Sequence, residues 1–295
     1  MGRGPASTDA GPALLQDIWR DSGIILGMSR APARRSRPDS RRWVLDGEQE
    51  PIFGSLPQTV LANLTSPRSE SALLWNAFYP LAARQVSLGE VLALSPLWGT
   101  RVLPVPTADA GLRMYFWGLG LDGEPMSGLQ RAVSEVDGPG GKIEVDLFLV
   151  GGGQLIAVEA KRGAAPGRCG RYIRGRCPEI HPAHGRNPCR YWEPGPGEFA
   201  RWLEAGARPT PATELPACSV HYQLFRTLAL AATLADHEGM NPGLWLVVPQ
   251  ASWARLEPVW LDFAERVREE GLWRRLRVLA WEDLLSLARG LGKKR

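Results

Sequence analysis

The stretch KIEVDLFLVGGGQLIAVEAK, from Lys142 to Lys161, constrains the chain more than any other. Two runs rich in Val, Ile, Leu and Phe flank Gly151, Gly152 and Gly153. Such residues fit a pleated, buried surface, and glycines supply the positive φ that a tight turn requires. The segment therefore predicts an antiparallel hairpin. With a four-residue loop from Gly151 to Gln154, Val150 pairs with Leu155. The same register sets Asp146 opposite Glu159 and Glu144 opposite Lys161, with Cβ atoms about 5 Å apart. Side chains alternate faces along a strand, so Glu144 and Asp146 share one side and Glu159 and Lys161 share one side of the next strand. Carboxylates held this close disfavour joint ionisation unless a cation sits between them.

That grouping suits phosphodiester hydrolysis. Hard carboxylate oxygens hold Mg²⁺ or Mn²⁺, the metal acidifies water and neutralises phosphate charge, and a neighbouring ammonium orients the nucleophile or stabilises the crowded phosphorus. An isolated Glu-x-Lys is a weak signal, and its bland reading is an ordinary ion pair on an exposed strand edge. Its coupling to an aspartate on the preceding strand is what gives it weight.

The flanking elements predict an α/β domain with a central mixed sheet. Ser66-Pro67 reads as a helix start, and SESALLWNAFY places Glu70, Leu73, Leu74 and Ala77 on one helical face until Pro80 ends or kinks it. Order is expected from about Ser66. A second helix is expected over Ser87 to Leu94 and a strand over Leu112 to Leu121, ahead of a hairpin strand from Lys142 to Val150. Ser219 to Glu238 reads as a helix stopped by Gly239, Leu244 to Val248 as a buried strand, and Trp253 to Glu270 as a helix interrupted by Pro258. Leu276 to Ala280 is a further strand, and Glu282 to Arg289 a closing helix. Trp245, Trp260, Trp273 and Trp281 fall on apolar stripes and read as packing, while His221 and His237 read as structural.

Pro and Gly concentrate in the first 60 residues and again from Gly163 to Pro216. Residues 1–43 read as a basic arm, with Arg30 to Arg42 touching phosphates; the bland readings are a solvated leader, or a start codon called too early with Met28 as the true start. Residues 44–295 read as one domain with a loop insertion over 163–217. The chain of 295 residues carries a formal charge of +4, which permits a polyanionic partner without demanding one. No apolar run of signal-peptide or membrane-spanning length occurs, so a cytoplasmic protein with no membrane contact is expected.

At the hairpin the sequence resembles the PD-(D/E)XK, restriction-endonuclease-like superfamily. Asp146, followed after twelve residues by Glu159-Ala160-Lys161, is similar to its D-x(n)-(D/E)-x-K core, although Val145 stands where the full motif has proline. The resemblance implies a restriction-endonuclease-like core: a central mixed β-sheet flanked by helices in the order αβββαβ, with the Cys/Arg-rich loop inserted. It implies Asp146 and Glu159 as metal ligands, Lys161 as the catalytic lysine, Glu70 as the helix carboxylate completing the metal site, and Gln223 with Arg226 as a Q-x-x-R-type motif. Gln223 would then orient a site water or a phosphate oxygen. The activity implied is an Mg²⁺- or Mn²⁺-dependent endodeoxyribonuclease acting on DNA in restriction, defence or repair, with a homodimer as one arrangement for cutting both strands. The alternatives are a nucleic-acid-binding module that keeps the fold without cleavage, and an interaction protein stabilised by metal.

The loop after the hairpin holds Cys169, Cys177, His181, His184 and Cys189, with Cys218 just beyond, and contains or adjoins all four cysteines of the chain. A disulfide framework is not expected in this setting. Thiolates and imidazoles grouped in a segment too polar to pack itself are candidate structural Zn²⁺ ligands, with an iron–sulfur cluster or unligated thiols as alternatives. Arg162, Arg168, Arg171, Arg174, Arg176, Arg186 and Arg190 interleave there with Tyr172, Tyr191 and Trp192. Guanidiniums beside aromatics suit backbone contacts and base stacking; the bland reading is a solvated loop.

Overall fold

The computed structural model describes residues 44, 46–66, 69–100, 111–183 and 187–292. The basic arm, Pro67, His184 and Arg186 fall outside them. Two short helices open the described chain, α1 (Ile52–Ser55) and α2 (Gln58–Leu64), so order begins earlier than Ser66. The long helix α3 (Glu70–Ala83) is capped by Ser69, whose side chain accepts the amides of Ser71 and Ala72 at 3.1 and 3.4 Å, rather than by Ser66. It continues through Pro80. Next comes α4 (Leu88–Leu92), which starts with a capping box between Ser87 and Glu90.

Among the described residues, six strands form one mixed sheet in the order β1-β6-β5-β4-β3-β2. They are β1 (Trp98–Gly99), β2 (Arg113–Phe116), β3 (Leu147–Gly151), β4 (Gln154–Ala160), β5 (Asn241–Val248) and β6 (Leu276–Ala280). β2, β3 and β4 are an antiparallel meander, β5 and β6 run parallel to β4, and β1 closes the other edge antiparallel to β6. The hairpin register is the expected one, with Val150 opposite Leu155. The turn is tighter than expected: Gly151 pairs with Gln154, and Gly152 and Gly153 turn the chain at φ 56° and 70°.

Two expected strands are shorter than their apolar runs. β2 stops at Phe116 because Trp117 takes a positive φ of 50° and the chain folds back, Leu119 donating its amide to the Phe116 carbonyl at 2.9 Å. β3 begins only at Leu147, so Lys142 to Val145 carry no ladder.

Alternation along the strands builds a core on each face of the sheet. Phe148, Val150, Leu155, Ala157, Leu244 and Leu246 face α8 (Tyr222–Glu238), with α5 (Leu129–Asp137) and α9 (Gln250–Ala264) beside it. Leu147, Leu149, Ile156, Val158, Trp245 and Val247 face α3 and α11 (Trp281–Gly292). The remaining short helices are α6 (Gly170–Ile173), α7 (Ala217–Val220) and α10 (Glu270–Trp273). The expected helix from Ser219 breaks at His221, between α7 and α8, where the ring is buried 2.5 Å from Asp262. Gly239 stops α8 in a left-handed conformation, as expected. Trp245, Trp260 and Trp281 are buried, whereas Trp273 is exposed on one side and meets Trp98 edge-on at 5.4 Å.

Among the side chains buried in this framework is a guanidinium. Arg277 on β6 lies over the Trp245 ring at 5.1 Å and donates to the Leu92 and Leu94 carbonyls, both at 3.2 Å, at the end of α4. Burial pulls its pKa down to about 10.

The packing of α8 against the sheet makes a stability prediction. Leu228 is fully buried in that layer, so Leu228→Ala should cost about 2–5 kcal/mol. Urea titration should show the midpoint falling with the slope unchanged, and a midpoint within error of wild type would show that this layer is not the core.

Candidate active site

The carboxyl-terminal end of β4, the residue just before β3, the start of α3 and the start of α8 bring five polar side chains together. Glu159 is the penultimate residue of β4, on the face that α8 covers, and is fully buried. It is held from α8 by Gln223, whose Nε2 donates to Glu159 Oε2 at 2.5 Å, and by Thr227, whose hydroxyl donates to Oε1 at 2.5 Å. Gln223 and Thr227 are four residues apart and so occupy one helical stripe. The Gln223 carbonyl oxygen accepts the Gly167 amide at 2.6 Å, which fixes the amide group at both ends.

Lys161 follows β4 directly, its backbone amide continuing the ladder to Val247 at 2.8 Å. The side chain is buried, and Nζ lies 3.7 Å from Glu159 Oε2 and 3.7 Å from Glu70 Oε2. Trp281 fixes the backbone here by donating its indole N–H to the Lys161 carbonyl at 2.9 Å. Glu70 opens α3, where the free amides of the first turn favour a carboxylate, and its Oε1 accepts the Arg162 amide at 2.8 Å. Asp146 directly precedes β3; its Oδ2 accepts the Ala160 amide at 2.8 Å while its carbonyl accepts the Trp117 amide at 3.0 Å. Asp146, Glu159, Lys161, Glu70 and Gln223 therefore share one surface at the strand ends.

The electrostatics follow from enclosure. Burial pushes the Glu159 carboxyl up to about 8 against the pull of Lys161, and Asp146 adds to the rise. Burial likewise raises Asp146, opposed by Lys161 and by the Ala160 amide. Burial alone would lower Lys161, but Glu159, Asp146 and Glu70 outweigh it and keep the ammonium above the usual lysine range. One ammonium thus faces three carboxyl groups.

Other residues expected at the site lie elsewhere. Glu144 is exposed and pairs with Arg226 at 3.1 Å rather than facing Lys161, because the chain leaves the ladder before Leu147. Arg226 is buried, grips the Asp137 carboxylate with two of its nitrogens and donates to the Lys142 carbonyl at 2.6 Å. Its charge is taken up within the protein, fastening the end of α5 to α8. Tyr191 stacks on Phe199 at 4.5 Å and donates to Asp137, while Arg190 donates to the carbonyls of Glu135 and Val136 near the end of α5. Those two side chains brace α5. Arg162, Arg171, Arg174 and Arg176 are exposed, and Arg168 lies 5.7 Å from the Tyr172 ring centroid. Arg171 and Arg174 line a cleft of about 330 Å³ together with Lys142, Glu144 and Arg226.

Sequence reasoning missed Thr227 and the contact from Trp281. The first was legible as a polar residue one turn beyond Gln223 on an otherwise apolar helix; the second required knowing that α11 returns to the end of β4.

No protein-family model, curated protein or solved structure matches the chain. Among the described residues, no three His, Cys, Asp or Glu side chains already stand as a formed metal site. The three carboxyl groups are nonetheless oxygen donors of the kind that suits a hard cation, and burial raises the proton affinity of two of them.

A carboxyl that holds its proton more tightly in the folded chain than in the unfolded one makes stability fall as pH rises between the two pKa values. For Glu159 the window runs from 4.5 to about 8. Denaturation at stepped pH without divalent cation should show stability declining across that window, and Glu159→Gln should flatten the decline. Equal slopes in the two proteins would mean that Glu159 ionises freely.

Proposed function

We propose that the chain is a divalent-metal-dependent nuclease that hydrolyses phosphodiester bonds in DNA. The observation that carries this reading is the ammonium of Lys161 at 3.7 Å from both Glu70 and Glu159, with Asp146 anchored on the intervening Ala160 amide. The order helix, antiparallel meander, crossover helix and parallel strand supports the restriction-endonuclease-like core αβββαβ, with Glu159-Ala160-Lys161 as its motif.

Glu70, Asp146 and Glu159 are the residues that would hold Mg²⁺ or Mn²⁺. When bound, such an ion supplies positive charge against the phosphate and makes water a stronger acid. The chain's own residues supply the rest. Gln223 and Thr227 hold Glu159 in one orientation, which keeps its oxygens directed toward Lys161. Lys161, enclosed and kept protonated by its carboxylate neighbours, presents a fixed ammonium for charge building on a phosphoryl oxygen. Exposed Arg171, Arg174 and Arg176 offer the phosphate contacts that position a strand beside the site.

Linear, circular and single-stranded DNA incubated with Mg²⁺ or Mn²⁺ tests the activity. Glu159→Ala should abolish cleavage, and Lys161→Ala should lower the rate by about 10²–10³-fold, as loss of a charge-stabilising group does elsewhere. Binding without cutting under every metal condition would favour the inactive module instead. Replacing Arg171, Arg174 and Arg176 together by Gln should weaken binding and reduce the slope of log affinity against log salt by about one for each phosphate no longer neutralised. Unchanged affinity at both low and high salt would remove these arginines from the interface.

A further inference from the structure

The four cysteines come from positions spread over Cys169 to Cys218, yet the fold draws them into one place. The Cys169 amide donates to the Ser219 carbonyl at 3.0 Å, which sets Cys169 beside the residue that follows Cys218. The Cys189 amide donates to Glu179 at 2.8 Å, just past Cys177, and Arg208 grips the same carboxylate at 2.6 Å. Cys189 has Cys169 and Cys177 as electrostatic neighbours; Cys218 has Cys189, Cys169 and Cys177. All four are free thiols.

Two N–H groups are aimed at sulfur. The Tyr191 amide donates to Cys189, and the Trp192 indole donates to Cys218. Donors of this kind stabilise thiolate over thiol and are the outer shell expected around metal-bound sulfur. A group of neutral thiols, one buried and three half-buried, gains little from being gathered, because S–H is a weak donor and apolar side chains could fill much of the same volume. Much of the segment that carries the cysteines is Gly, Pro and Arg, with few side chains of its own to bury.

We propose that Cys169, Cys177, Cys189 and Cys218 form a single four-thiolate centre for a thiophilic metal, Zn²⁺ or iron in a sulfide-bridged cluster, which fixes this segment against the start of α8. No three of these side chains already stand as a formed metal site among the described residues, so a single ion draws the sulfurs inward, whereas a cluster with inorganic sulfide bridges spans a wider gap. Loading is ligand exchange: each thiol passes its proton to solvent and its lone pair to the metal. His181 takes no part, lining a separate groove with Tyr172, Ile173 and Thr213. The centre is linked to the carboxylate site along the chain, since the amide of Gly167, two residues before Cys169, donates to Gln223.

Metal analysis of the full chain, purified without chelator, tests the centre. Close to one zinc per chain, or iron with matching acid-labile sulfide and visible absorbance, supports it and distinguishes the two forms. The thiols should resist iodoacetamide until a chelator strips the metal. Cys177→Ser and Cys218→Ser should lose the metal while His181→Ala keeps it, and Trp192→Phe should weaken metal affinity by about 10- to 100-fold. If the serine variants do not fold, Trp192→Phe and thiol protection decide. Substoichiometric metal, with thiols that alkylate equally fast with and without chelator, overturns the proposal. Glu159→Ala should leave the metal content unchanged, so failure here is separable from failure of the nuclease reading.

Discussion

The structure around the candidate site depends on keeping one carboxyl group, Glu159, at the inner end of a central strand. A carboxylate moved out of water without partners costs far more than a single domain can spare, so such a group must be paired, hydrogen-bonded or protonated. Here the solution uses several elements at once. α8 supplies Gln223 and Thr227, the end of β4 supplies Lys161, α3 supplies the second carboxylate that Lys161 needs, and α11 pins the backbone through Trp281. Segments far apart in sequence are therefore fixed in relation to one another by the requirements of one side chain. Their apolar faces then do most of the packing on the two sides of the sheet.

The same logic explains what could be read from sequence. The hairpin register was legible because a one-residue slip would turn every apolar side chain of β3 and β4 to the wrong face, so the alternation around three glycines leaves one arrangement. Asp146, Glu159 and Lys161 came with that register. α8 was legible because its apolar stripe is long and its end is marked by Gly239. What failed were features decided by distant partners. α5 was missed: its sequence LQRAVSEVD is short and charged, and it is held from outside by Arg190 and Arg226. Nothing local in LRVLA shows that Arg277 would be wholly buried; the aromatic face and the carbonyls that receive it lie on β5 and at the end of α4.

The arginine-rich segment divides by the same criterion. Arg190 and Arg208 in the segment, and Arg226 on α8, are committed to carbonyls or carboxylates within the protein. Arg171, Arg174 and Arg176 face outward from α6 and the turn that follows it. Composition alone treats these six alike. Only the positions of Glu179, Asp137 and the carbonyls near the end of α5 separate the structural guanidiniums from those left to meet an anion.

This division bears on whether the chain cuts or merely binds. A site built only to hold a phosphate backbone gains from positive charge and loses from buried carboxyl groups, because three acidic side chains around one ammonium repel the anion they would be meant to receive. On the proposed reading, a cation would join Glu70, Asp146 and Glu159 beside the exposed arginines when a phosphate arrives. The raised proton affinities of Asp146 and Glu159 come first from burial, which Lys161 only partly offsets; a proton on Glu159 relieves that cost up to about pH 8, and on the proposed reading a divalent cation would take its place and add the charge that phosphoryl chemistry requires. The proposed hydrolase would put those three carboxyl groups to use, whereas a binding module would carry their cost of burial without return.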